Sequence, residues 1–133
     1  MAELGVFDAP PQKWFPFDED TEVLLEFQGR KALIEIEEKA EKQARLTKGN
    51  FKNYQNKILG KRAVKGWRKI TDHNHPGLIL KGQPFPYSEE NCAMLMLNST
   101  EFSNFVNSNC SDSKAFLGEE GAEEEGPDAS KNA

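Results

Sequence analysis

The sequence predicts a small, mainly α-helical (α+β) single domain with a short β element near its N-terminus. Three observations carry this: one strand-like apolar run at 21–28, a long helical period that begins at Arg30, and short apolar helices after Ser88. Residues 1–20 form a proline- and aromatic-rich arm, 21–117 the mainly helical domain, and 118–133 a disordered acidic tail.

The arm carries Pro10, Pro11 and Pro16, so it is expected to run extended without local hydrogen-bonded structure. Its aromatic residues Trp14, Phe15 and Phe17 are suited to docking it on the body. TEVLLEFQ (21–28) lies between three acids and Gly29 and reads as a strand. A single strand needs a partner, which the arm, the segment near Leu78–Ile79–Leu80 or another subunit could supply.

From Arg30 the apolar period changes to Leu33, Ile36, Ala40 and Ala44, with Ile34 beside them, giving an amphipathic helix over about 30–46. Gly49–Asn50 breaks it, with Thr47 or Asn50 as capping candidates. A second helix through Phe51, Tyr54, Ile58, Ala63 and Val64 is expected to end near Gly66–Trp67. Gly60 inside it costs about 1 kcal/mol against alanine. Turn formers then gather around Asp72, Pro76–Gly77, Gly82 and Pro84, with a brief strand at Leu78–Leu80. Ser88 followed by Glu89 and Glu90 starts an apolar helix, NCAMLMLN. Ser99 or Thr100 starts the next, with Phe102, Phe105 and Val106 at helical spacing. Beyond Leu117 no apolar residue is larger than alanine, so nothing there offsets the entropy of ordering.

A chain of 133 residues suits one domain, and 37% hydrophobic against 29% charged residues points to a modest core with polar segments. No apolar run approaches the roughly 20 residues of a membrane helix. The start lacks the basic end, apolar stretch and cleavage site of a secretory signal, so a cytoplasmic location is expected and no membrane partner. Cys92 and Cys110 are then expected as thiols rather than a disulfide.

Charge is segregated. From Lys42 to Lys69 there are ten Lys or Arg and no acid, including Lys52, Lys57, Lys61, Arg62, Lys65 and Arg68. The tail after Leu117 holds six acids and one lysine. The basic block fits phosphate or an acidic partner, but base-reading motifs are absent. A solvated helix face explains it more simply, and the acidic tail folding back over it is a third reading.

Catalytic chemistry finds little support. Asp72, His73 and His75 in DHNH are the local metal-ligand candidates, yet no other histidine exists and the cysteines lie far along the chain. Asp, Asn, Pro and Gly in the same stretch explain it as a turn. The letters also name a nuclease motif, but its histidines are spread over a ββα-metal unit. Cys92 sits among Ala93, Met94, Leu95 and Met96, which looks like core rather than a nucleophile's surroundings. No enzyme, cofactor or metal is expected.

The order of features resembles the tail assembly chaperones of long-tailed bacteriophages and prophages. TEVLLEFQGRKAL leads into a charged helix, then a lysine-rich helix ending in AVKGW, then FPYSEENCAMLM and TEFSNFVNSNC. Trp67, Gly82, the helix entry Pro86–Tyr87–Ser88, Asn91 and the final aromatic helix carry the likeness, over about 21–117. The DHNHPGLILK stretch is longer than that pattern has, and residues 1–20 fall outside it.

The resemblance implies a non-enzymatic protein of the host cytoplasm that binds the tape measure protein and the tail tube protein during tail morphogenesis. It also implies a longer frameshifted product. Trp67, Tyr87, Met94, Met96, Phe102 and Phe105 are the expected partner-binding residues, because Met94, Leu95, Met96 and Leu97 are too many apolar neighbours for one buried face. A structural component retained in the virion is the runner-up, and a nucleic-acid-binding protein using the basic helix at 42–69 is the third reading. A homo-oligomer stays open, and nucleic acid is the less favoured partner.

Overall fold

The computed structural model describes residues 2–117, and the acidic tail expected at 118–133 lies outside the described residues. Ten elements follow one another: β1 (Gln12–Pro16), β2 (Thr21–Glu26), α1 (Arg30–Thr47), α2 (Phe51–Ala63), β3 (Val64–Lys69), β4 (Ile79–Leu80), β5 (Gln83–Pro84), α3 (Glu89–Asn98), α4 (Thr100–Asn109) and α5 (Ser113–Leu117). The α+β expectation holds: a three-stranded antiparallel sheet, ordered β1–β2–β3, packs against the helices.

β2 is the central strand. Thr21, Val23 and Leu25 are buried while Glu22, Leu24 and Glu26 are half-covered, the period of two that a sheet with one wetter face imposes. Asp18 shapes the turn before it, its Oδ1 accepting from the Asp20 and Thr21 amides at 2.8 and 2.7 Å. The hairpin β1–β2 pairs Phe15 with Val23 and Trp14 with Leu24. The boundary expected at residue 20 therefore falls inside a hairpin, and the arm from β1 onward is part of the sheet. Prolines bar local structure but not strand pairing at an edge. Register puts Pro16 at a position facing away from β2, where its missing N–H leaves the outer edge one donor short.

The second helix differs from expectation at its end. α2 stops at Ala63, and Val64–Lys69 leaves directly as β3, pairing with β2 through Val23–Trp67 and Leu24–Gly66. The helical apolar period runs on through Val64, but a central strand with one edge unpaired would leave its backbone groups without partners. The long-range pairing wins. β4 and β5 form a two-residue hairpin with exposed side chains, turned by Lys81 and Gly82 at φ of 53° and 79°.

Caps fall where hydroxyls and amides were available. Asn50 accepts from the Asn53 amide at 3.0 Å, Ser88 from Asn91 at 3.0 Å and Ser99 from Phe102 at 3.1 Å. Gly77 has φ of 80°, and a Cβ there would also meet the Thr21 side chain at 2.8 Å, so two independent constraints demand glycine.

The core joins Phe15, Val23, Leu25, Val64 and Trp67 of the sheet to Ile36, Leu59, Met96, Phe102 and Val106 of the helices. Gly60 sets how closely α2 and α3 approach. A Cβ at that position would lie 2.6 Å from Met96 Cγ and 3.4 Å from Cys92 Sγ. The helix-weakening glycine is thus explained by packing: its propensity cost is outweighed by close interhelical contact. Gly60→Ala should therefore destabilise the fold by about 1–3 kcal/mol, the cost of overpacking, despite a helix-propensity gain of about 1 kcal/mol. Urea unfolding measures this, and a more stable variant would show that Met96 yields.

Candidate partner-binding surface

The structure divides the six apolar residues expected to bind a partner. Trp67, Met96 and Phe102 are buried in the core, so they support the fold rather than present themselves to another chain. Tyr87 is half-buried, meets the Trp67 ring edge-on at 5.2 Å and donates its hydroxyl to the Val64 carbonyl at 3.0 Å. Burial pushes its pKa up, with the Cys92 and Glu89 charges adding to the shift. Phe105 is half-buried against Phe17, ring centres 5.1 Å apart. Met94 is left partly uncovered.

On α3, Cys92 and Met96 point inward, while Leu97 is 43% exposed. Met94 and Leu97 are three residues apart, so they share the outer side of that helix. Ser88 fixes where the helix begins and hence which residues turn outward.

A second uncovered apolar strip lies on α1, and the sequence reading did not single it out. Only Ile36 and Ala40 are buried among its 18 residues, while Leu33, Ile34 and Leu46 are exposed. Beside Leu33 an open cleft of about 560 Å³ runs between α1, α2 and the end of α4, bordered by Arg30, Ile36, Leu59, Asn107 and Cys110. The signal was present in LIEI: adjacent positions diverge by about 100° around a helix, so Leu33, Ile34 and Ile36 cannot all face one core.

The basic block is likewise divided. Lys52, Lys57 and Lys61 are exposed, and among the described residues none is within 4.0 Å of a carboxylate. Arg62 instead pairs with Glu35 at 3.2 Å. Arg68 pairs with Glu22 at 2.6 Å while its guanidinium carbon lies 3.8 Å from the Trp14 ring centre. Lys65 is half-buried on β3.

DHNH forms a turn at the end of the sheet. Asp72 Oδ1 accepts from the Asn74 amide at 3.1 Å, and His75 Nδ1 accepts from Gly77 at 2.9 Å. His73 Nε2 lies 3.9 Å from Glu22. Among the described residues no group of three or more His, Cys, Asp or Glu is placed to hold a metal ion. No helix among them is long and apolar enough to cross a membrane.

Both cysteines are free thiols and both are buried. Burial pushes the Cys92 thiol from 9.0 up to about 12, with the Glu89 charge adding to it. Burial also raises Cys110 to about 11 against a lowering by its own backbone hydrogen bond. A thiolate is the reactive form, so neither should react readily. Native protein at pH 8 should take up a thiol reagent at least about tenfold more slowly than urea-unfolded protein. Because both pKa values are raised on folding, this contribution to stability is intact below pH 9.0 and is lost as pH rises towards about 11–12. Chemical denaturation across that range checks the sign.

No curated protein and no solved structure matches the chain. The family profile described as YdaY prophage protein matches residues 26–127. That span takes in β3, every helix and both candidate surfaces, and it covers well over half of the 133 residues. The chain belongs to the YdaY prophage protein family.

Proposed function

We propose that this prophage protein is a non-enzymatic tail assembly chaperone that binds the tape measure protein, and the tail tube protein with it, in the host cytoplasm. The observation that carries the reading is the outer side of α3, where Leu97 is exposed and Met94 partly so, while Cys92 and Met96 anchor the helix to the core. The resemblance of 21–117 to that class of phage protein points the same way. A long helical client presents apolar residues at intervals of three and four, and the exposed Leu97 with the half-buried Met94 at the same interval meet that pattern. Methionine adapts its shape to varied partners, which suits a holding role.

The exposed Lys52, Lys57 and Lys61 favour a second reading, binding of nucleic acid through α2. The two differ in salt response: contacts to phosphate weaken steeply with added salt, apolar contacts hardly at all.

The test is affinity purification from host cells during phage production, with mass spectrometry of both the eluate and the purified particles. Tape measure protein should co-elute, and this protein should be missing from particles. Met94→Glu with Leu97→Glu should lower the co-eluting tape measure about tenfold, the effect of roughly 1.4 kcal/mol, with an unchanged circular dichroism spectrum. Stoichiometric presence in particles without a tape measure complex would make it a structural component instead. Salt-sensitive recovery of nucleic acid that Lys52→Gln, Lys57→Gln and Lys61→Gln abolish would establish the second reading.

A further inference from the structure

We infer that α1 is a homodimer interface, two copies of the chain packing their α1 helices antiparallel across Leu33 and Ile34. The inference stands apart from the chaperone reading and uses a different face.

α1 is 18 residues long, yet it buries only Ile36 and Ala40. Leu33 is 37% and Ile34 40% exposed; about 100° apart around the helix, Ile34 faces outward and Leu33 lies at the margin of the buried face of Ile36 and Ala40. Each borders a hollow: the cleft of about 560 Å³ on the Leu33 side, and a shallower one of about 510 Å³ lined by Arg30, Lys31, Ile34, Glu35 and Glu38. Single exposed aliphatics need no explanation, but two adjacent ones between hollows form a ridge that another surface can straddle.

Charge decides what that surface is. Arg30 and Lys31 lie four and three residues before Ile34, and Glu38 and Glu37 lie four and three residues after it. A two-fold axis beside Ile34 therefore sets Arg30 against Glu38 of the other copy and Lys31 against Glu37, twice over. Such self-complementarity is what a two-fold interface requires. A parallel pairing would place each charge against itself. An axis shifted towards Glu38 would bring the glutamates together and set Arg30 against Arg45, so like-charge contact opposes that register. Glu35, the remaining acid near the ridge, is already held by Arg62 at 3.2 Å. One helix pair buries less than a standard interface, so the dimer is weak, concentration-dependent and loosened by salt.

Sedimentation equilibrium over a concentration series tests this on the full chain. The mass should rise from 15.0 kDa towards twice that value, and added salt should oppose the rise. Arg30→Glu with Lys31→Glu, and separately Glu37→Lys with Glu38→Lys, should each raise the dissociation constant about tenfold or more through like-charge contact. Mixing the two variants restores every opposite-charge pair, so the mixture should associate at least as tightly as the wild type. Ile34→Glu should be monomeric alone and in either mixture. All five side chains are exposed, and circular dichroism checks that each variant is folded. A wild type that stays at 15.0 kDa throughout, variants that dimerise as before, or a mixture no tighter than its components would each overturn the interface.

Discussion

Trp67 is buried, and a buried indole N–H has to find an acceptor or the fold loses about 1–3 kcal/mol. It finds the Phe85 carbonyl at 2.7 Å, and that one bond ties the long connection after β3 back onto the sheet. Phe85 stacks alongside the indole, Tyr87 and Phe102 meet it edge-on, and Tyr87 returns a hydrogen bond to Val64. The start of α3 is thereby fixed two residues from the strand's own anchor. Sheet, connection and the α3–α4 pair all depend on where this indole sits, and it sits there only because residues 64–69 are extended.

α1 obeys different rules. With so little burial it must rely on its own composition. Alanine, leucine, glutamate, lysine and arginine are the stronger helix formers, and Glu35–Lys39, Glu38–Lys42 and Glu41–Arg45 set an acid four residues before a base, the favourable order. The basic start at Arg30 and Lys31 and the acids Glu35, Glu37 and Glu38 that follow it also explain why charge, rather than apolar area, selects what can lie against this helix.

Much of the helical framework was legible in the sequence. α1 begins at Arg30 and the caps Asn50, Ser88 and Ser99 lie where short polar side chains precede apolar runs. What was not legible depends on residues far apart in the chain. Val64–Lys69 continues a helical period locally, and only β2, some 40 residues earlier, makes it a strand. The arm's prolines conceal β1 for the same reason. At the candidate surfaces, periodicity marked which residues are apolar but not which stay uncovered. Trp67, Met96 and Phe102 are as apolar as any docking residue and lie inside, whereas Leu33 and Ile34 passed as ordinary members of an amphipathic stripe. The family match begins at Glu26, so the hairpin that supplies two of the three sheet strands lies almost wholly before it.

The start and finish of the described chain share one corner. A side chain at Gly5 would collide with Ser113, Phe7 packs on Phe27, and Phe116 wedges between Phe15 and Phe27. Topologically the fold is close to a ring. Joining that corner with a short linker and reopening the chain at the exposed Lys81–Gly82 turn would preserve every core neighbour while moving the free ends to the opposite sequence position. The order in which the elements are synthesised is thus separable from the arrangement they reach.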